Sequence, residues 1–77
     1  MTKPRTKQAL LEGQLLRDRR QELDLTQHQV AMEAGIELQH YQQFEDGTRR
    51  FTHCYMATGL RICEILELDP YEFLQLG

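Results

Sequence analysis

The sequence predicts an all-α fold, a compact five-helix bundle in which the second and third helices form a helix-turn-helix. Three observations carry that prediction. The stretch Leu25 to Gly47, LTQHQVAMEAGIELQHYQQFEDG, holds start, turn and stop signals for two short helices in succession. No segment shows the alternating apolar pattern of a strand, and there is no internal repeat or low-complexity tract. The chain has 77 residues, 40% of them apolar, with neither a disulfide network nor a metal motif, so a single helical core is the economical solution.

Residues 1–6, MTKPRT, contain Pro4 and polar or basic side chains without periodicity, which predicts a flexible basic arm ahead of a domain over residues 7–77. The arm is either a solvated tail or a phosphate contact. The first helix is expected from Lys7 to about Leu23, on the spacing of Leu11, Leu15, Leu16 and Leu23, with Gly13 as a weak point inside it. Thr26 then caps a second helix starting at Gln27. Gln29 sits where a capping box needs it, Leu25 and Val30 stand in staple positions, and Gly35 follows the last turn. Val30, Ala31 and Ala34 form the inner face, and small Ala31 allows two helices to cross closely.

A tight turn begins at Ile36. Tyr41 and Phe44 are the apolar side of the third helix, Leu38, Gln39, Gln42 and Gln43 lie mostly outward, and Gly47 ends it. After the loop TRRF, Thr52 with Phe51 and Met56 predicts a fourth helix from His53 to about Glu67, lined by Met56, Leu60, Cys63 and Leu66. Asp69, Pro70 and Glu72 start a last element of about two turns, with Phe73, Leu74 and Tyr71 covering one end of the core.

Cys54 and Cys63, nine residues apart on one expected helix, would face opposite sides and cannot bridge. Both are expected to be reduced, in a cytoplasmic setting. No basic-then-apolar leader and no apolar run of about 20 residues is present, so secretion and membrane insertion are not expected. The net charge of −3 is unevenly spread: residues 1–20 carry six basic and two acidic side chains, the remainder three and ten.

With these features in place, LRDRRQELDLTQHQVAMEAGI resembles the opening of the Cro/phage-repressor helix-turn-helix family, the xenobiotic-response-element-like, lambda-repressor-like DNA-binding domains. FEDG resembles that family's recognition-helix ending and LELDPYEFL its last turn and helix, so most of residues 15–76 is covered. Ala31, Gly35, Tyr41 and Phe44 fall together at the family's spacing. The resemblance implies a small transcriptional regulator or repressor that binds double-stranded DNA sequence-specifically, with its third helix in the major groove. It also implies a homodimer on two half-sites.

Carried over by position, Gln39 and Gln43 would read base edges, and Leu38 would touch a thymine methyl. Thr26, Gln27 and Gln42 would contact phosphates, and Arg49 and Arg50, in the loop after the recognition helix, would clamp the backbone. Arg20 and Glu45 would form a partly buried structural ion pair rather than touch DNA.

The chain departs from the family's pattern in several places. Residues 21–48 contain no Lys or Arg but six acidic residues, so phosphate neutralisation would fall to Arg17, Arg19, Arg49, Arg50 and the arm. Glu37 stands where the recognition helix usually has a Ser or Thr cap, and Asp24 replaces a common glycine. The alternative reading is a protein-interaction module, an antirepressor or adaptor, binding a protein partner through Leu38, Gln39 and Gln42. His28, His40 and His53 are scattered, and no nucleophile motif, phosphate loop or metal motif is present. An enzyme, a cofactor and a small-molecule substrate are therefore not expected.

Overall fold

A computed structural model describes residues 5–77 of the chain. Most of the expected arm, residues 1–4, lies outside the described residues. Four α-helices and two 3-10 helices make up the described fold, without strands: α1 (Lys7–Glu22), α2 (Gln27–Ala34), α3 (Leu38–Asp46), a 3-10 helix at Phe51–His53, α4 (Met56–Leu66) and a 3-10 helix at Pro70–Gln75.

Local chemistry accounts for the first three helices. Thr6 Oγ1 accepts the Ala9 N–H at the start of α1. Thr26 and Gln29 complete a reciprocal capping box at the start of α2, with Thr26 Oγ1 accepting from the Gln29 N–H and Gln29 Oε1 from the Thr26 N–H. Gly35 (φ +73°) and Gly47 (φ +83°) end α2 and α3 in the left-handed region, which costs a residue without Cβ nothing. Glu37 makes no side-chain cap to α3.

Gly13 has a tertiary role rather than being a flaw in α1. A Cβ there would lie 2.7 Å from the carbonyl oxygen of Phe44 and closer still to that of Glu45, so α1 and α3 approach backbone to backbone at this point. Leu16, Val30, Tyr41, Phe44, Ile62 and Leu66 are all sealed from solvent in the core beneath the helices. Phe51 packs edge-on against Phe44 at 5.4 Å between centroids and lies 4.8 Å from Phe73. That trio closes one end of the core.

The C-terminal half departs from expectation. The fourth helix begins at Met56, not His53. Phe51 must turn inward to join the aromatic trio, and the chain does this with a 3-10 turn before α4 starts. The Thr52 hydroxyl donates to Glu12 (2.7 Å) instead of capping a helix. Met56 and Leu60, expected in the core, are exposed, as are Tyr71 and Leu74, leaving Phe73 to plug the last element. That element begins at the expected Asp69–Glu72 box but is wound as a 3-10 helix. Cys54 is outside α4, so the two cysteines do not face opposite sides of one helix. They border a common surface groove, each as a free thiol.

No helix among the described residues is long and apolar enough to cross a membrane.

Candidate nucleic-acid interface

The outward side of α3 is held in place by a carboxylate on its inner side. Glu45, whose side chain has no exposed surface, receives Arg20 of α1 bidentately: Nε donates to Oε2 at 2.7 Å and Nη2 to Oε1 at 3.0 Å. The Tyr41 hydroxyl donates to Oε2 (2.5 Å) and Gln27 Nε2 to Oε1 (2.8 Å), while Arg17 reaches the backbone carbonyl of Glu45 (3.2 Å). Three helices therefore converge on one residue. No buried side-chain nitrogen or oxygen among the described residues lacks a partner.

Burial alone would raise the pKa of Glu45, but hydrogen bonds from Arg20, Tyr41 and Gln27 outweigh it and hold the carboxyl below its ordinary value. The Tyr41 phenol is pushed far upward by its burial and by Glu45, so it stays protonated as a donor. Arg20 and Glu45 stand together as the ion pair inferred for them.

The expected readers occupy the opposite side. Gln39 and Leu38 are exposed, Gln42 and Gln43 half-buried. Gln42 is not free-standing, since its Nε2 donates to Gln27 Oε1 at 3.2 Å and so extends the Glu45 network outward. Gln43 Oε1 accepts from Arg49 Nε at 2.5 Å. Thr26 and Gln27 sit at the N-terminus of α2, the Thr26 hydroxyl oxygen serving the capping box and the Gln27 amide already bonded at both ends.

Arg50, expected to clamp the backbone, requires correction. Its Nε and Nη2 donate to Glu12 (3.2 and 2.8 Å), and Nη2 also reaches Thr52 Oγ1. Glu12, with a side chain 1% exposed, also accepts from the Thr52 hydroxyl and N–H, and these donors overcome burial to hold its pKa down. Arg50 is therefore a structural partner that ties the 48–54 connection to α1. Sequence reasoning missed Glu12. The available signal was its place three residues after Ala9 and four before Leu16, on the buried stripe of α1.

Of the remaining arginines, Arg19 is engaged in the same way and Arg49 is not. Arg19 donates to the Leu66 carbonyl (2.9 Å) and to Glu22 and Glu67. Arg49, beside the end of α3, has no carboxylate within 4.0 Å among the described residues. His40 lies against Phe44, 4.9 Å between centroids. The described residues hold no group of three or more His, Cys, Asp or Glu able to bind a metal.

Comparison with known proteins agrees with this geometry. A family model described as a helix-turn-helix domain matches residues 13–76, from the α1–α3 crossing glycine to the last 3-10 helix. Neither the curated proteins nor the solved structures yield a match. With capped α2, the Gly35 turn and α3 all inside the matched span, the chain belongs to the helix-turn-helix domain family.

Proposed function

We propose that this protein is a small transcriptional regulator, of the Cro-like repressor type, that binds double-stranded DNA sequence-specifically with α3 in the major groove. One observation carries the reading: Leu38, Gln39 and Gln43 form an outward row that the core does not use, on a helix fixed from behind by Glu45. Gln39 and Gln43 offer the paired donor and acceptor that base edges require, and Leu38 a surface for a thymine methyl. Thr26, Gln27 and Gln42, around the positive end of α2, and Arg49 face the phosphates, Gln42 through the second N–H of the Nε2 that it shares with Gln27. The protein acts by occupying its site in the cytoplasm, without catalysis or cofactor.

Assembly as a homodimer belongs to the same reading. Tyr55, Met56, Leu60, Tyr71 and Leu74 are each at least half exposed around the groove that the two cysteines border, and no charged residue lines it. At roughly 150 Å² apiece they present about 750 Å², close to one partner's share of a standard interface. A second copy would cover that uncharged surface.

The test is selection from a random duplex pool at several salt concentrations. Enrichment of one sequence family supports the reading. Absence of any enrichment at the lowest salt overturns it and favours a protein partner on the Leu38, Gln39 and Gln42 surface, a reading supported by six acidic and no basic residues across 21–48. Sedimentation with and without DNA tests the dimer, which an invariant monomer mass excludes.

A further inference from the structure

We infer that Arg49 is a positioning residue for base discrimination, acting through the side-chain amide of Gln43; this rests on the DNA-binding reading above. A glutamine amide has two ends of nearly equal shape and opposite hydrogen-bonding sense. Left free, it offers a base either an acceptor or a donor and discriminates poorly. A neighbour that can only donate removes the ambiguity, because the oxygen must face it.

Arg49 is such a neighbour, and it is held to Gln43 twice. Its backbone N–H donates to the Gln43 carbonyl at 3.1 Å, and its Nε donates to Gln43 Oε1 at 2.5 Å. The left-handed Gly47 reverses the chain so that residue 49 returns over the end of α3. No carboxylate among the described residues competes for the guanidinium, and the adjacent Arg50 is occupied by Glu12. The Nε2 end of Gln43, with its two N–H groups, is the end left for the groove.

The neighbouring amide is set the other way by the same logic. Glu45 can only accept, so Gln27 turns its Nε2 inward and its Oε1 toward Gln42. Gln42 must answer with Nε2, which leaves its oxygen outward. Two adjacent glutamines are thereby presented in opposite senses, one set by Arg49 and the other by the buried carboxylate.

The experiment compares selection profiles of the unaltered protein, Gln43→Ala, Arg49→Ala, the double variant and Gln43→Glu, with thermal melting to verify folding. At the base pair that Gln43 contacts, the unaltered protein should show a preference on the order of tenfold. Arg49→Ala should reduce it to about that of Gln43→Ala, and the double variant should be no flatter, since both changes remove one reading unit. Gln43→Glu retains the Arg49 contact but loses the outward donor, so it should lose the original preference.

In the free protein, Arg49→Ala should move the side-chain amide resonances of Gln43 and leave those of Gln39 in place. An Arg49→Ala profile with the same ranking at every position, merely weaker throughout, overturns the inference and leaves Arg49 as a phosphate contact. Immobile Gln43 resonances also overturn it, independently of DNA. A pool in which the unaltered protein enriches nothing is a different failure, removing the DNA reading and the inference together.

Discussion

Replacing Gly13 by Ala tests whether α1 and α3 meet backbone to backbone. The added Cβ would lie 2.7 Å from Phe44 O and from the Glu45 carbonyl carbon. Both belong to the α3 backbone, which cannot swing aside as a side chain can. Restoring ordinary contact, including to the still closer Glu45 carbonyl oxygen, requires the helices to part by about 1 Å, enough to forfeit up to about half of the dispersion attraction along the seam. The same movement stretches the Arg20–Glu45 pair. Overpacking of this kind costs about 3 kcal/mol at the upper end of its usual range, and the better helix propensity of Ala returns about 1. A net loss of about 2 kcal/mol should lower Tm by roughly 10 °C in a domain this small.

The assay is urea and thermal unfolding followed by circular dichroism, with Gly59→Ala as comparator. At Gly59, also inside a helix, a Cβ meets only Cys54 Sγ at 3.2 Å and Phe51 at 3.8 Å, so the tight sulfur contact offsets the same propensity gain and that variant should stay within about 0.5 kcal/mol of the original. If Gly13→Ala is as stable as Gly59→Ala, the close crossing is refuted.

Three other expectations follow from the polar network and the backbone. Glu12 and Glu45 both have folded pKa values below the ordinary 4.5, so their contribution is present above that value and is lost as pH falls through the folded range. Tm should therefore drop steeply below about pH 4.5, and Glu12→Gln should flatten that limb; a Tm constant from pH 6 to 3 contradicts the pairing. Asp24 holds φ +61°, a conformation that is costly for a side chain, so Asp24→Gly should raise stability by up to about 1 kcal/mol by urea titration, and a loss would count against the left-handed turn. Because Arg17, Arg19 and Arg50 are tied to internal partners, DNA affinity should fall with salt at a log–log slope of only about −3 per protein chain, measured by fluorescence anisotropy; a slope near about −6 would show that those three arginines are recruited.

Where a segment's structure depends on its near neighbours, the sequence was a sufficient guide. Thr26 and Gln29 cap α2 across three residues, Gly35 and Gly47 supply left-handed stops, and Asp69 with Glu72 opens the last element; each is local chemistry. Distant partners account for what differed. Thr52 has every local mark of an N-cap, yet its hydroxyl serves Glu12, forty residues earlier in the chain. Arg50 looks like a surface cation until Glu12 is known to be buried, and Gly13 looks like a flaw until α3 is laid across it. For the candidate site, which residues of α3 face outward was legible from helical periodicity, while the roles assigned to them rest on the family resemblance. The senses of its amides were not legible, since they are dictated by Arg49 and, through Gln27, by Glu45.

The position of Glu45 bears on how such a chain can diversify. Its side-chain donors are Arg20, Gln27 and Tyr41, and none of Leu38, Gln39 or Gln43 is among them. On the proposed DNA-binding reading, those three outer residues can be rewritten, and the target with them, while the scaffold stays unchanged. Gln27 is the exception, because it belongs both to the anchor and, through Gln42, to the surface. On the same reading, a replacement there must satisfy folding and recognition together, so it is constrained from two sides where the outer row is constrained from one.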